Sequence, residues 1–154
     1  MNRDYLKQIM TDQKDTYLSN PAIERNYPLE DHVNYCFVGI RRTGKSYMMY
    51  QHIRHLQENG IPLSQIVYVN FEDERLLEMS ADDLNVILEI GLEMAGVDNR
   101  PYLFLDEIQN IKGWEKFVRR IADMKYRINI TGSNSKMLSS EIASTLGGRF
   151  MIVD

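Results

Sequence analysis

Val38-Gly39-Ile40-Arg41-Arg42-Thr43-Gly44-Lys45-Ser46 is the stretch on which the fold turns. From Gly39 onward it matches G-x-x-x-x-G-K-[ST] without a mismatch. The run before it, residues 33–38, is apolar and reads as a strand. Residues 45–58 after it read as a helix, with Met49, Ile53 and Leu56 on one face and Gly60 as its stop. In that strand–loop–helix setting the glycines let the backbone curl until its N–H groups converge on a phosphate chain. Lys45 can reach the β- and γ-phosphates, the Ser46 hydroxyl can ligate Mg²⁺, and the helix adds the positive end of its dipole. The nucleotide-binding set expected from this segment is Gly39, Arg41, Arg42, Thr43, Gly44, Lys45, Ser46 and Tyr47.

Outward from this segment, strand and helix alternate. Strands are expected over 65–70, 101–105, 127–131 and 149–153, with helices over 81–95, 114–124 and 136–146. Ser80 with Asp83 three residues on forms a capping-box pattern, and Gly96 is a stop signal for the same helix. Strict alternation of this kind predicts an α/β fold, a parallel sheet with helices on both faces. Ahead of it, residues 1–18 carry Leu6, Ile9, Met10 and Tyr17 at helical spacing, and Ser19-Asn20-Pro21 would end that helix. The chain therefore divides into an N-terminal amphipathic helix with its linker, 1–31, and a core, 32–154.

Ligands of parallel sheets sit at the carboxyl ends of the strands, so the residues there are the candidates. After the third strand come Asp106-Glu107, the aspartate 61 residues beyond Lys45. There Asp106 can hold Mg²⁺ through its water shell while Glu107 orients and deprotonates a water. After the fourth strand come Thr131-Gly132-Ser133-Asn134-Ser135, whose small polar side chains suit either a γ-phosphate contact or a helix N-cap. Arg149, after Gly147-Gly148, is placed to reach a phosphate held by a neighbouring subunit, or is an ordinary surface arginine. Arg41, Arg42, Arg119 and Arg120 are of a kind more often solvated or salt-bridged than functional. His52 and His55 lack a ligand pattern and read as helix-surface residues, whereas Trp114, Phe117 and Ile121 read as core.

Composition narrows the class. The 154 residues carry a net charge of −4 and 44% hydrophobic residues, an ordinary balance for one domain that argues against coating nucleic acid by charge alone. One cysteine, Cys36, excludes a disulfide framework. There is no secretory signal and no apolar run of membrane-spanning length, so a cytoplasmic setting is expected.

Taken in order, residues 38–46, Tyr68-Val69-Asn70-Phe71-Glu72-Asp73, Leu103-Phe104-Leu105-Asp106-Glu107-Ile108-Gln109, Gly113-Trp114-Glu115, Thr131-Gly132-Ser133 and Gly148-Arg149 resemble the prokaryotic AAA+-type P-loop ATPases. The resemblance runs from about residue 23 to the end. It implies a P-loop NTPase αβα sandwich whose parallel five-stranded sheet has the order 5-1-4-3-2. It implies ATP as substrate, Mg²⁺ as cofactor, and Ser133 in the sensor position with Asn134 as second candidate. Acidic residues also recur in the family where Glu72 and Asp73 stand. Family members usually continue into a helical lid and a C-terminal region, so the chain is expected to be the core of a longer protein. Residues 23–27 are then the expected source of the adenine pocket. Self-association, and a DNA or protein partner bound through a region beyond this chain, are the partners implied. The rival reading is a nucleotide-gated interaction module with negligible turnover.

Overall fold

The structure, a computed structural model, describes residues 1–19, 29–39, 44–133, 137, 144 and 146–153. Five strands form one sheet: β1 (Tyr35–Gly39), β2 (Ile66–Asn70), β3 (Tyr102–Asp106), β4 (Arg127–Ser133) and β5 (Met151–Val153). The order is β2-β3-β4-β1-β5 with every pairing parallel, which is the expected 5-1-4-3-2 read from the other edge. The helices are α1 (Arg3–Ser19), α2 (Lys45–Glu58), α3 (Ala81–Ala95) and α4 (Trp114–Asp123). The helix expected over 136–146 lies largely outside the described residues, as do residues 23–27.

Side-chain alternation along the strands divides the interior into two cores. Cys36 and Val38, Val67 and Val69, Leu103 and Leu105 share one face with Ile128 and Ile130, packed under Leu84 and Ile87 of α3 and Trp114, Phe117 and Ile121 of α4. Tyr35 and Phe37, Ile66 and Tyr68, and Phe104 point the other way, against Met49, Ile53 and Leu56 of α2. Both faces are covered, as a parallel sheet requires. The capping box forms as its pattern predicts, with the Ser80 N–H donating to the Asp83 carboxylate at 3.0 Å.

Strand ends differ from the periodicity reading for local reasons. β1 begins at Tyr35, because the Asn34 side chain takes over the ladder: its Oδ1 accepts from Ile128 N at 3.0 Å. Asn129 Oδ1 returns the contact by accepting from Tyr35 N at 3.1 Å. β4 runs on to Ser133, since β1 supplies pairing partners as far as Gly39. Residues 149 and 150 lie in a turn, with both N–H groups donating to Leu146 O, so β5 is shorter than its apolar run.

α1 packs directly on the sheet. Leu6 and Ile9 are fully buried in the core shared with α3, and Tyr17 joins the core of the opposite face. Between them Gln13 meets the open edge of β2. Its Oε1 accepts from Asn70 N at 2.8 Å and its Nε2 donates to Asn70 O at 3.0 Å. One side-chain amide thus pairs both backbone groups of Asn70 at the end of an edge strand.

Candidate functional site

The sheet order brings the carboxyl ends of β1, β4 and β3 side by side, with α2 starting beside them. Gly44 enters α2 at φ 90°, a left-handed conformation that a residue with a Cβ adopts only with strain. Lys45 and Ser46 then open the helix, facing the end of β3. Lys45 Nζ lies 2.9 Å from Glu107 Oε1, with both side chains nearly buried. The contact is a nearly buried ion pair. Ser46 donates to Asp106 Oδ2 at 2.6 Å. Residues far apart in sequence thereby form two adjacent pairs.

Asp106 is only 1% exposed and receives two more hydroxyl hydrogen bonds. Tyr68, from β2 on one side, donates to Oδ2 at 2.6 Å, and Thr131, from β4 on the other, donates to Oδ1 at 2.6 Å. Burial, then the nearby Asp106 charge, raises the Tyr68 phenol well above its usual range, so it remains a protonated donor. Thr131 Oγ1 also accepts from Glu107 N at 2.8 Å. Glu107 takes a left-handed backbone, φ 57° and ψ 46°, which starts the short turn 108–110. From that turn Gln109 Nε2 donates to Glu107 Oε2 at 2.6 Å.

Tyr68 and Gln109 are site residues that the motif reading did not single out, and Thr131, read there as a γ-phosphate contact or helix cap, instead holds Asp106 and the Glu107 N–H. Tyr68 and Gln109 stand inside quoted blocks, and the order 5-1-4-3-2 already sets strands 2 and 4 beside strand 3, but only the side-chain contacts show that these two residues reach Asp106 and Glu107. Tyr68 further belongs to a cluster with Tyr17, Tyr50 and Tyr47, with ring centroids 5.2 to 6.4 Å apart. Its hydroxyl lies 3.2 Å from that of Tyr50. Tyr47 therefore begins a tyrosine layer beside the phosphate-loop helix.

Other candidates fall as follows. Ser133 ends β4 directly opposite Gly39, half-buried, at the edge of the loop. Arg41, Arg42, Thr43 and Asn134 lie outside the described residues. Arg149 stands ahead of β5, at the opposite end of the sheet from Lys45, with its Nε 2.7 Å from Asp123 Oδ1. Asp73 turns toward α1, where the Arg75 guanidinium, first among its contacts, lowers its carboxyl to about 2. Glu72 is exposed. His52 corrects the surface reading: it is 1% exposed, edge-on to the rings of Tyr35 and Phe104. It falls between Met49 and Leu56 on the inward face of α2, and burial lowers it to about 4. His55 is at the surface, 3.5 Å from Asp31.

The donor set suits Mg²⁺. Because the Ser46 proton is given to Asp106, the Ser46 oxygen keeps lone pairs for a hard cation, with a carboxylate oxygen 2.6 Å away. Among the described residues no group of three or more His, Cys, Asp or Glu could cage a metal. Such a two-residue site is typical of Mg²⁺ held largely by waters and substrate phosphates. Among the same residues no helix is long and apolar enough to cross a membrane.

An uncharacterized protein of Methanocaldococcus jannaschii is 46% identical over 112 residues, covering 72% of this chain and 23% of that protein. An uncharacterized protein of Haemophilus influenzae is 36% identical over 115 residues, covering 73% and 28% respectively. The chain thus spans about a quarter of the length of these curated relatives. A chain of Hsp104, from the closed-state cryo-EM reconstruction with ATPγS and FITC-casein, aligns with a TM-score of 0.60 and 17% identity over 97% of this chain and 30% of that one. At that identity the likeness concerns the fold alone. Residues 32–154, the span holding the whole sheet and both the Lys45–Glu107 and Ser46–Asp106 pairs, match the AAA domain family, and the chain belongs to it.

Proposed function

We propose that this chain binds ATP with Mg²⁺ and hydrolyses the terminal phosphoryl bond, as the motor or switch core of a longer protein. The observation that carries the reading is the juxtaposition of Lys45 with Glu107 and of Ser46 with Asp106 at the carboxyl edge of the sheet. Ser46 and Asp106 would hold Mg²⁺, which when bound neutralises charge on the β- and γ-phosphate oxygens. A triphosphate competes with Glu107 for the Lys45 ammonium. Once Lys45 turns to the phosphate oxygens, Glu107 is free to take a proton from water. The water oxygen then bonds to the γ-phosphorus as the bond to the β-bridging oxygen breaks, and ADP leaves. Thr131 and Tyr68 hold Asp106 in place throughout. Ser133 would contact the γ-phosphate. Arg149 would act only in trans, by leaving Asp123 for the site of a second copy.

Phosphate release by wild type, Lys45→Ala and Glu107→Gln tests this. Turnover in the wild type alone is expected, and equal turnover in all three refutes it. The Lys45–Glu107 contact, which engages both catalytic groups at once, also favours a second reading: a nucleotide-gated interaction module. Calorimetric binding of ATP without phosphate release would select it.

A further inference from the structure

Gln109 lies in the short turn 108–110, and its two side-chain atoms have unequal surroundings. Nε2 donates to Glu107 Oε2 at 2.6 Å. Oε1 is buried and has no hydrogen-bond partner. Reversing the amide would set that oxygen against the Glu107 carboxylate, two acceptors in contact, so the assignment follows from charge. A buried carbonyl without a donor is destabilising, and such exceptions in a folded protein call for a reason. The space it occupies is made by Gly132. A Cβ there would sit 2.7 Å from Gln109 Oε1 and 2.4 Å from Met137 Sδ. Gly132 immediately precedes Ser133, so the orphan oxygen lies at the carboxyl end of β4, beside the base.

We propose that Gln109 supplies the second hold on the attacking water: Nε2 fixes Glu107, and Oε1 accepts one of the water's protons while Glu107 accepts the other. The amide nitrogen and oxygen of one side chain are about 2.3 Å apart. With the 2.6 Å hydrogen bond, Oε1 is therefore no more than about 4.9 Å from Glu107 Oε2. One water donating to two acceptors at about 2.8 Å each spans about 4.5 Å. That limit admits the span, so one water can bridge the two acceptors with a lone pair left to face phosphorus. This assignment rests on the hydrolytic reading above.

The test measures steady-state ATP turnover and calorimetric nucleotide affinity for wild type, Gln109→Ala and the equally sized Gln109→Glu. Both variants are expected to lose roughly 10- to 100-fold in kcat, with Kd for ATP within twofold of wild type. An active wild type with either variant within twofold in kcat overturns the role of Gln109 and leaves hydrolysis standing. Loss of affinity in step with kcat overturns it as well, since Gln109 would then support the loop rather than the water. A wild type that releases no phosphate overturns the hydrolytic reading itself, and this role with it.

Discussion

Replacing Thr131 by valine tests the site's internal architecture without changing its volume much. The Thr131 hydroxyl is fully buried, donates to Asp106 Oδ1 at 2.6 Å and accepts from Glu107 N at 2.8 Å. Valine fills the space and removes both bonds. A hydrogen bond to a charged group is worth about 1.5–3 kcal/mol, and a buried N–H left without an acceptor costs about 1–3 kcal/mol. The expected loss is about 3–5 kcal/mol, a large part of the roughly 5–15 kcal/mol that holds a domain together. For a chain of this length that lowers Tm by roughly 6–20 °C. Thr131→Ser is the control, because it keeps the hydroxyl and gives up one methyl, for about 1 kcal/mol. Denaturant titration and calorimetry on both variants read the difference. If Thr131→Val stays within about 1 kcal/mol of wild type, the bridging hydroxyl is not what holds the two acids. Equal damage from Thr131→Ser would assign the effect to packing and refute the reasoning equally.

Three further outcomes are expected. Gln13→Ala removes the amide that pairs with both backbone groups of Asn70. It should cost about 1–3 kcal/mol and speed hydrogen exchange at the Asn70 amide; unchanged exchange would mean that the edge is closed by packing alone. His52 is held down to about 4 by burial, against 6.5 in its unperturbed state. The unfolded chain therefore takes up the proton first as pH falls. The stability this neutral histidine allows is fully present above pH 6.5 and declines toward pH 4, by an amount on the order of 3 kcal/mol. His52→Phe should flatten that part of the stability–pH curve, and an unaltered slope between pH 6.5 and 4 would assign the dependence to other groups. Cys36 is fully buried, and burial pushes its thiol up to about 12. Iodoacetamide should label it only at the rate of unfolding, and rapid labelling of the native protein would contradict the packing of β1.

Several site residues were legible in the chain because they adjoin one another in it. Lys45 and Ser46 follow the loop glycines directly, and Asp106-Glu107 close an apolar run. A phosphate cradle is made by consecutive backbone amides, so its signature survives as a contiguous string. The alternation of strands and helices was equally plain, since strands buried on both faces read as short continuous apolar runs and each helix carries a period of 3.6. His52 shows the limit of that reading. A polar side chain on the buried stripe of α2 looks like a surface residue until the rings of Tyr35 and Phe104 are brought around it. Strand order came from resemblance to known ATPases, because periodicity carries no information about which strands become neighbours.

By itself the sequence determined the elements, the phosphate-loop motif and the paired acids, all of which are local in the chain. Only the tertiary structure decided that the Tyr68 and Thr131 hydroxyls both reach Asp106, and that Gln13 pairs with the backbone of Asn70 at the edge of β2. It alone also set Gln109 against Glu107 over a bare Gly132, and Arg149 at the far end of the sheet. The physical reason is one of range. Backbone preference and amphipathic period act over a few residues, whereas partners for a buried carboxylate are chosen by the packing of strands that lie tens of residues apart.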